Sequence, residues 1–297
     1  MGGHTEQATA VFVAHRNLLF TVAYEMLGSA ADAEDVLQET WLRWVAVDPD
    51  RVRDARAYLV RVTTRQALNR LRTLRRRREA YVGAWLPEPL LTSPDVAEHA
   101  ELAESVSLAL MLVLETLSPT ERAVFVLREV FDVDHAEIAA AVDKSPAAVR
   151  QIAARARRHV AARRPREVVD PAEAQEVVAT FLRVVESGDV QALLDVLAPD
   201  VVYIADGGGV KQAALRPIVG ADKVARFVVG TLAKFPGVFT TVPALVNAAP
   251  ALLVHLDGEL DGVIALHVES RRVAGIYYVR NPAKLGALTA PAPLSLG

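Results

Sequence analysis

Apolar residues recur at steps of three and four along the first quarter of the chain, which is the spacing of one helical face. The pattern predicts helices over residues 9–27, 32–47 and 54–78. Gly28 and Pro49 stand at the breaks between them, as expected of residues that end helices. A small all-α domain is therefore predicted over residues 1–79.

A segment without a steady period follows at residues 80–100. It holds three prolines and is predicted to be a linker. Trp85 and Leu86 stand side by side in it, and a freely solvated tether would avoid two large apolar residues. We therefore expect this linker to be docked on another part of the protein.

A second helical domain is predicted over residues 101–166, with helices at 101–116, 120–130, 134–142 and 145–163. A short turn at Asp143 and Lys144 joins the last two helices, which is typical of a helix-turn-helix. Ser145 is suited to cap the second helix, and Pro146 is tolerated at its first position. An ordinary helical hairpin is the alternative interpretation.

The pattern changes after residue 166. Helices are predicted at 171–186, 190–197 and 221–233, and strands at 201–205, 238–246, 251–256, 262–269 and 273–279. Helices followed by a run of strands that we expect to be antiparallel indicate an α+β domain over residues 167–297.

Charge is balanced overall, with 33 basic and 36 acidic residues, but it is segregated locally. Residues 51–78 hold eleven arginines and one acid, and residues 144–166 hold eight basic residues and no acid. Residues 32–50 hold six acids and one base. The basic blocks indicate nucleic-acid binding, and the acidic block indicates a surface for a protein partner.

Several classes of function are excluded or disfavoured. The chain has no cysteine, so disulfides and thiolate zinc sites are excluded. No phosphate loop, metal constellation or nucleophile triad is found, so we expect no cofactor, no metal and no catalytic residue. The N-terminus does not resemble a signal peptide, and prolines interrupt the most apolar stretch, residues 238–256. We expect a soluble, cytoplasmic protein without a membrane partner.

The second helix of the helix-turn-helix is suited to enter a major groove. Arginine and glutamine pair with guanine and adenine edges through two hydrogen bonds. The residues expected to contact DNA are Ser145, Arg150, Gln151, Ala154, Arg155 and Arg158.

Residues 9–78 and 101–163 resemble the two conserved domains of extracytoplasmic-function sigma factors, which direct bacterial RNA polymerase to promoters. The most specific stretch is DAEDVLQETWLRW at 32–44, and residues 118–158 resemble the minus-35 reading domain. The resemblance implies binding to the β′ clamp and β flap of core RNA polymerase and to promoter DNA, by a chain that is monomeric when free. It implies polymerase contacts by Asp32, Asp35, Gln38, Glu39, Trp41 and Leu42, and minus-10 contacts by Arg61, Arg65, Asn69, Arg70 and Arg72.

Three short motifs resemble those of one subgroup of this family: WLPEP at 85–89, DGGG at 206–209 and NPAKL at 281–285. That subgroup carries a fused C-terminal SnoaL-like domain of the NTF2-like cone fold, which serves as a built-in regulator. The implied fold is two all-α domains followed by an α+β cone domain. The implied regulatory contacts are Trp85, Leu86, Pro87, Glu88, Pro89, Asp206, Gly207, Gly208, Gly209, Asn281, Pro282, Lys284 and Leu285. The chain departs from the family pattern at Arg65, Asp143, Val210, Lys211 and Ala283.

Two other classes of function remain open on the residues alone. One is a one-component transcription regulator that senses a ligand with its cone domain, and a small ligand in the cone is possible under either interpretation. The other is an isomerase or cyclase that uses a carboxylate as general base. The candidate polar lining of the cone is Tyr203, Asp206, His255, His267 and Tyr278.

Overall fold

The computed structural model describes residues 2–48, 52–78, 80–93, 96, 100–163, 169–234, 237–292 and 294–296. The chain divides into two compact units. The first comprises residues 1–79, 111–164 and 293–297, and the second comprises residues 80–110 and 165–292. Pro49, Pro94 and the predicted domain boundaries at residues 79 and 166 lie outside the described residues.

Three helices begin the first unit: α1 (Gly2–Leu27), α2 (Ala30–Trp44) and α3 (Ala55–Arg78). Helix α2 starts two residues before the predicted position, Asp32. The reason is its cap, because the Ser29 hydroxyl accepts the Asp32 amide at 3.2 Å. Trp44 is fully buried at the end of α2, and its indole donates to the Ala8 carbonyl at 2.8 Å. The predicted three-helix arrangement is confirmed.

The next helices are α4 (Ala100–Val106) and α5 (Leu108–Glu115), where the sequence pattern predicts one helix over residues 101–116. That prediction is wrong because the Ser107 hydroxyl accepts the Leu110 amide at 3.2 Å and begins a new helix. Helix α6 (Pro119–Phe125) continues into a π-helical turn (Val126–Val130), and α7 (His135–Val142) and α8 (Pro146–Ala161) follow.

A buried ionic triad joins three helices of the first unit. Glu115 lies between Arg78 and Arg122 and forms an ion pair with each of them. Arg122 is only 1% exposed, and its Nε donates to the Glu25 carbonyl at 2.9 Å. Burial alone would raise the pKa of Glu115, but the two guanidiniums outweigh it and lower that pKa. The triad thus fixes the end of α3 against α5 and α6.

The second unit is built on a six-stranded sheet with three further helices. The helices are α9 (Pro171–Ser187), α10 (Val190–Val196) and α11 (Ala221–Leu232). The strands are β1 (Leu197–Asp206), β2 (Ile218–Val219), β3 (Phe239–Val246), β4 (Ala249–Leu256), β5 (Glu259–Glu269) and β6 (Arg272–Val279), in the spatial order β2-β1-β6-β5-β4-β3. Strand β1 pairs with β6 in parallel, so the expected wholly antiparallel sheet is wrong. The meander β3–β6 returns β6 beside β1 in the same direction.

The two faces of the sheet are covered differently. One face packs on α9, α10 and α11 through a core that includes Phe181, Leu193 and Ile276. The other face packs on Leu91 and Leu108 from the chain before residue 111, and on Leu285 and Leu288 near the C-terminus. No helix in the described part of the chain is long and apolar enough to cross a bilayer.

Candidate nucleic-acid interface and linker clamp

The outer side of α2 carries most of the residues expected to bind polymerase. Gln38, Glu39 and Leu42 are exposed, and Leu42 is 66% exposed although it is apolar. Trp41 is half-buried, and its ring lies 5.4 Å from that of Phe12. An exposed leucine beside a carboxylate and an amide is suited to contact a protein.

Asp32 and Asp35, expected on the same surface, have a partner within the first unit. Arg70 of α3 lies 2.6 Å from Asp32 and 2.9 Å from Asp35. The hydrogen bond to Asp32 raises the pKa of Arg70. Arg70, which is expected to contact minus-10 DNA, is therefore ion-paired with Asp32 and Asp35, which are expected to contact polymerase.

The other minus-10 candidates lie along α3. Arg61 stacks over the Tyr58 ring, with 5.2 Å between the guanidinium carbon and the ring centroid. Asn69 and Arg72 are exposed one turn apart. Exposed arginines on one helix are suited to contact phosphates, which supply affinity without sequence information.

Arg65 joins α3 to the helix-turn-helix. Its guanidinium donates to the Ala140 carbonyl at 2.7 Å and to the Asp143 carboxylate at 2.9 Å. A groove of about 630 Å³ lies beside this contact, between Tyr58 and Arg61 on α3 and Glu137 on α7. In this structure α3 and the turn of the helix-turn-helix therefore contact each other through Arg65.

The helix-turn-helix has the local geometry that the sequence predicts. Asp143 adopts a left-handed conformation with φ of 54°, which aspartate tolerates better than most residues. The Ser145 hydroxyl accepts the Ala148 amide at 3.2 Å, and Pro146 opens α8. The exposed residues of α8 include every expected minus-35 contact on it: Arg150, Gln151, Ala154, Arg155 and Arg158. Arg155 is paired with Glu121 at 2.6 Å.

In the second unit, the Asp206 carboxylate holds the linker. Asp206 is fully buried at the end of β1. It accepts the Tyr81 hydroxyl at 2.6 Å and the Leu86 amide at 2.9 Å. It also accepts the Gly208 amide at 3.0 Å, which folds the glycine loop back onto it. Burial, followed by this hydrogen bond to Asp206, raises the pKa of the Tyr81 hydroxyl.

Lys284 and Asn281 complete this arrangement, which we call the linker clamp (Asp206, Asn281 and Lys284). Lys284 Nζ lies 2.7 Å from Asp206 and donates to the Leu86 carbonyl at 2.5 Å. The same ammonium group lies 4.2 Å from the centroid of the Trp85 ring, a cation–π distance. Asn281 donates to the Tyr81 hydroxyl at 2.7 Å.

The remaining residues of the three motifs lie close by. Pro87, Glu88 and Pro89 are buried, and Leu285 packs on the sheet. Pro282 starts a short 3₁₀ turn in which the Asn281 side chain accepts the Ala283 amide. A β-carbon at Gly207 would overlap the Lys211 carbonyl, and one at Gly208 would overlap Asn281. A β-carbon at Gly209 would lie 3.3 Å from Val82. The glycines thus allow close packing of this loop.

The linker is held a second time at residues 90–92. The Asn247 side chain, in the β3–β4 turn, accepts a hydrogen bond from the Leu90 amide at 3.0 Å. The backbone amide of Asn247 donates to the Leu90 carbonyl at 2.8 Å. The Thr92 amide donates to the Leu245 carbonyl at 2.9 Å. The linker thereby extends the edge of the sheet beside β3.

A cavity of about 120 Å³ lies between α9, α11 and the sheet. Tyr203 and Tyr278 line it, as expected. The expectation is wrong for Asp206, His255 and His267, which are not among the described residues of its wall. Asp206 faces the linker. His267 lies two residues after Ala265 on β5 and so shares its side of the sheet, which is the face opposite the cavity.

Sequence reasoning missed four residues that organise the second unit: Tyr81, Asn247, Asp261 and Arg280. Asp261 is 2% exposed and binds Lys211, Tyr278 and Arg280. Burial alone would raise the pKa of Asp261, but the hydrogen bonds from Arg280, Tyr278 and Lys211 lower it to about 2. The signal available in the sequence was a single Asn-Ala pair between two strands, which marks the turn at Asn247.

The architecture defines a class of protein in which two helical modules, the second with a helix-turn-helix, are fused to an NTF2-like cone domain. Three family descriptions match the chain in order: Sigma-70 region 2 over residues 11–77, Sigma-70, region 4 over residues 107–160, and SnoaL-like domain over residues 178–281. The chain belongs to the extracytoplasmic-function RNA polymerase sigma factors that carry a fused SnoaL-like domain.

Two relatives come from Mycobacterium tuberculosis. The ECF RNA polymerase sigma factor SigJ is 39% identical over 92% of this chain and 91% of its own length. The probable ECF RNA polymerase sigma factor SigI is 32% identical over 96% of this chain and 97% of its own length. The crystal structure of SigJ superposes with a TM-score of 0.77 and 34% identity, and covers 94% of this chain and 98% of that one.

Proposed function

We propose that this chain acts as an alternative sigma factor in the cytoplasm, where it binds core RNA polymerase and recognises minus-35 and minus-10 promoter elements. The exposed side of α2, with Glu39 and Leu42, faces the β′ clamp, and the helix-turn-helix binds near the β flap. One observation carries the proposal. The chain matches both sigma regions, and it has an exposed acidic and apolar face on α2 as well as arginine-rich surfaces on α3 and α8.

The test is binding of the full-length chain to bacterial core polymerase at moderate salt. Glu39→Ala combined with Leu42→Ala should weaken binding at least tenfold, because both side chains are exposed on the proposed contact surface. Asp35→Ala alone is less informative, since Asp35 also holds Arg70. Glu6→Ala, an exposed acid on α1, is the control. Equal binding by the double variant and the parent would contradict the proposed surface.

The fused domain acts as a regulator that holds the linker between the two DNA-binding regions. The clamp engages residues 81–86 through a fully buried carboxylate, and Asn247 engages Leu90. A linker held at two places leaves less free chain between α3 and α5. The clamp therefore limits which spacings between the two promoter elements the protein can bridge.

Promoters that differ only in spacer length test this regulatory function. The parent chain should favour a narrow range of spacers, and Lys284→Ala with Trp85→Ala should broaden that range. Lys223→Ala, on the exposed side of α11, is the control. An unchanged spacer preference in the clamp variant would contradict this regulatory function without touching the sigma assignment.

An enzymatic function is not favoured. The described residues of the cavity wall are apolar except for Tyr203, Thr231, Thr241, Tyr278 and Arg280, and they include no carboxylate or imidazole to serve as a general base. Asp261 is a buried carboxylate that bonds to Tyr278 and Arg280 of this wall, but these hydrogen bonds hold it ionised with a pKa of about 2, too low for a base at neutral pH.

A further inference from the structure

The cavity of the cone domain has the construction of a binding site for a small apolar molecule. Its volume of about 120 Å³ is close to that of engineered cavities of roughly 150 Å³ that bind benzene. Phe181 and Leu182 of α9 form one wall, and Phe227 and Val228 of α11 form the second. Leu252 and Ile264 form the floor on the sheet. Walls of this kind select a ligand of about one ring by shape and apolar contact.

One end of the cavity carries an available hydrogen-bond donor. Tyr203 is 7% exposed and packs on Phe227, with 5.0 Å between ring centroids. Within the described ranges, no residue forms a hydrogen bond with the Tyr203 hydroxyl. Burial raises the pKa of this hydroxyl to about 12, so it remains a protonated donor at neutral pH.

The other polar groups at this end are already engaged. Arg280 donates from Nε and Nη2 to Asp261 at 2.7 and 3.0 Å, and from Nη1 to the Gln212 carbonyl. The Tyr278 hydroxyl donates to Asp261 at 2.7 Å. Among the described residues of the cavity wall Arg280 is the only cation, and the Asp261 carboxylate already compensates its charge, so nothing in this wall attracts an anionic ligand. The site therefore favours an uncharged molecule with one acceptor oxygen, such as a ketone.

The same end of the cavity is connected to the linker clamp. The Arg280 and Asn281 amides both donate to the Asp206 carbonyl, at 2.7 and 2.9 Å. The Asp206 carboxylate in turn holds Tyr81 and Leu86. A ligand in the cavity that displaces Arg280 would therefore also shift Asp206, which belongs to the linker clamp.

We propose that the cone cavity is a sensor site for an uncharged, ring-sized ketone or similar carbonyl compound, which accepts a hydrogen bond from Tyr203 and changes the linker clamp through Arg280. This proposal rests on the regulatory function proposed above. Binding of the ligand to the cavity does not depend on that regulatory function.

Binding is tested on the full chain with acetophenone as the probe and ethylbenzene as its match without oxygen, by ligand-observed NMR. Acetophenone should bind saturably. Tyr203→Phe should lower the affinity for acetophenone about fivefold, which corresponds to the loss of one hydrogen bond, and should leave the affinity for ethylbenzene unchanged. Thr241→Phe, which fills the cavity from half-buried β3, should weaken both probes at least tenfold, and Thr241→Ser should not. The proposal is overturned if Thr241→Phe leaves the affinity for acetophenone unchanged, or if acetophenone does not bind saturably.

Sensing is tested by ¹⁹F NMR on the chain labelled with 5-fluorotryptophan, whose three signals are Trp41, Trp44 and Trp85. Acetophenone should shift the Trp85 signal and leave the other two in place. In Lys284→Ala the ligand should still bind, but the shift should be lost. Binding without a Trp85 shift would overturn the sensor role. That outcome would leave the clamp itself to be judged by the promoter-spacer experiment.

Discussion

Lys284 and Asp206 form a buried ion pair with 2.7 Å between Nζ and Oδ2, and the same ammonium group donates to the Leu86 carbonyl. The Asp206 side chain is fully buried and that of Lys284 is 12% exposed. A buried charge is tolerated only when it is paired and its other hydrogen-bonding capacity is used. Here the linker supplies those remaining partners, so the pair and the docked linker depend on each other.

Removing one partner of this pair should therefore release the linker. Lys284→Ala leaves the Asp206 carboxylate buried without its cation, and losses of this kind cost about 3–5 kcal/mol. We expect a fall of that order in the unfolding free energy of the second unit, measured with urea, together with faster proteolysis between residues 80 and 93. Lys223→Ala is the matched control and should change neither quantity. A variant as stable as the parent would show that the linker does not depend on the pair.

The glycine loop gives a second and independent test of the clamp. Gly208 has φ of 63°, and a β-carbon there would overlap the Asn281 amide. Gly208→Ala should destabilise the second unit by more than about 2 kcal/mol, since the left-handed conformation alone costs 1–2 kcal/mol. Gly230→Ala in α11 meets nothing within 4 Å and should stabilise by up to about 1 kcal/mol. Thermal unfolding of both variants distinguishes the loop geometry from a general effect of alanine.

Local signals in the sequence predicted the helical part of this structure well. Ser145, Pro146 and Asp143 each act within a few residues of themselves, so the turn and the start of α8 could be predicted without the fold. Ser107 is the exception among local signals, because a hydroxyl within an apolar helical pattern does not reveal whether it caps a new helix.

Contacts between distant residues could not be predicted in the same way. Asn247 holds Leu90 across 157 positions, and Tyr81 reaches Asn281 across 200. The parallel pairing of β1 with β6 is of the same kind, since it depends on the path of the whole meander. The motifs that hold the linker were found by resemblance, and the residues outside those motifs, Arg280 and Asp261 among them, were found only in the fold.

The contact between Arg65 and Asp143 predicts a gain of DNA affinity on its removal. Asp143→Gly keeps the left-handed turn, which glycine adopts freely, but releases Arg65 from its ion pair and removes a negative charge from the turn. Affinity for a minus-10 single strand should rise about threefold at low salt, a modest factor because an exposed ion pair contributes at most about 1 kcal/mol. Asp132→Gly is the control, since Asp132 is also left-handed but pairs with Arg128. A rise in both variants would reflect charge alone.

Two arginines of α8 should differ in their effect on minus-35 binding. Arg150 is exposed near the start of the helix, whereas Arg157 is held by Glu129 at 2.7 Å. Arg150→Ala should cost about 1–3 kcal/mol if it reads a base, or lower the salt dependence by about one unit if it binds a phosphate. Arg157→Ala should change affinity less than threefold. Fluorescence anisotropy with duplex DNA over a salt series measures both, and equal losses would contradict the assigned face of α8.

The Asp261 network predicts a specific dependence of stability on pH. The pKa of Asp261 is about 2 in the folded chain, below the ordinary value of about 3.9, so its ionised form stabilises the fold above pH 4. That contribution should disappear as the pH falls from about 4 through 2. Asp261→Asn should therefore be less stable than the parent in urea at pH 7 and 5, and the difference should shrink between pH 4 and 2. Asp222→Asn, in an exposed pair with Arg226, should show a small difference throughout. A difference for Asp261→Asn that persists at pH 2 would mean that the side chain supports the fold by its shape and not by its charge.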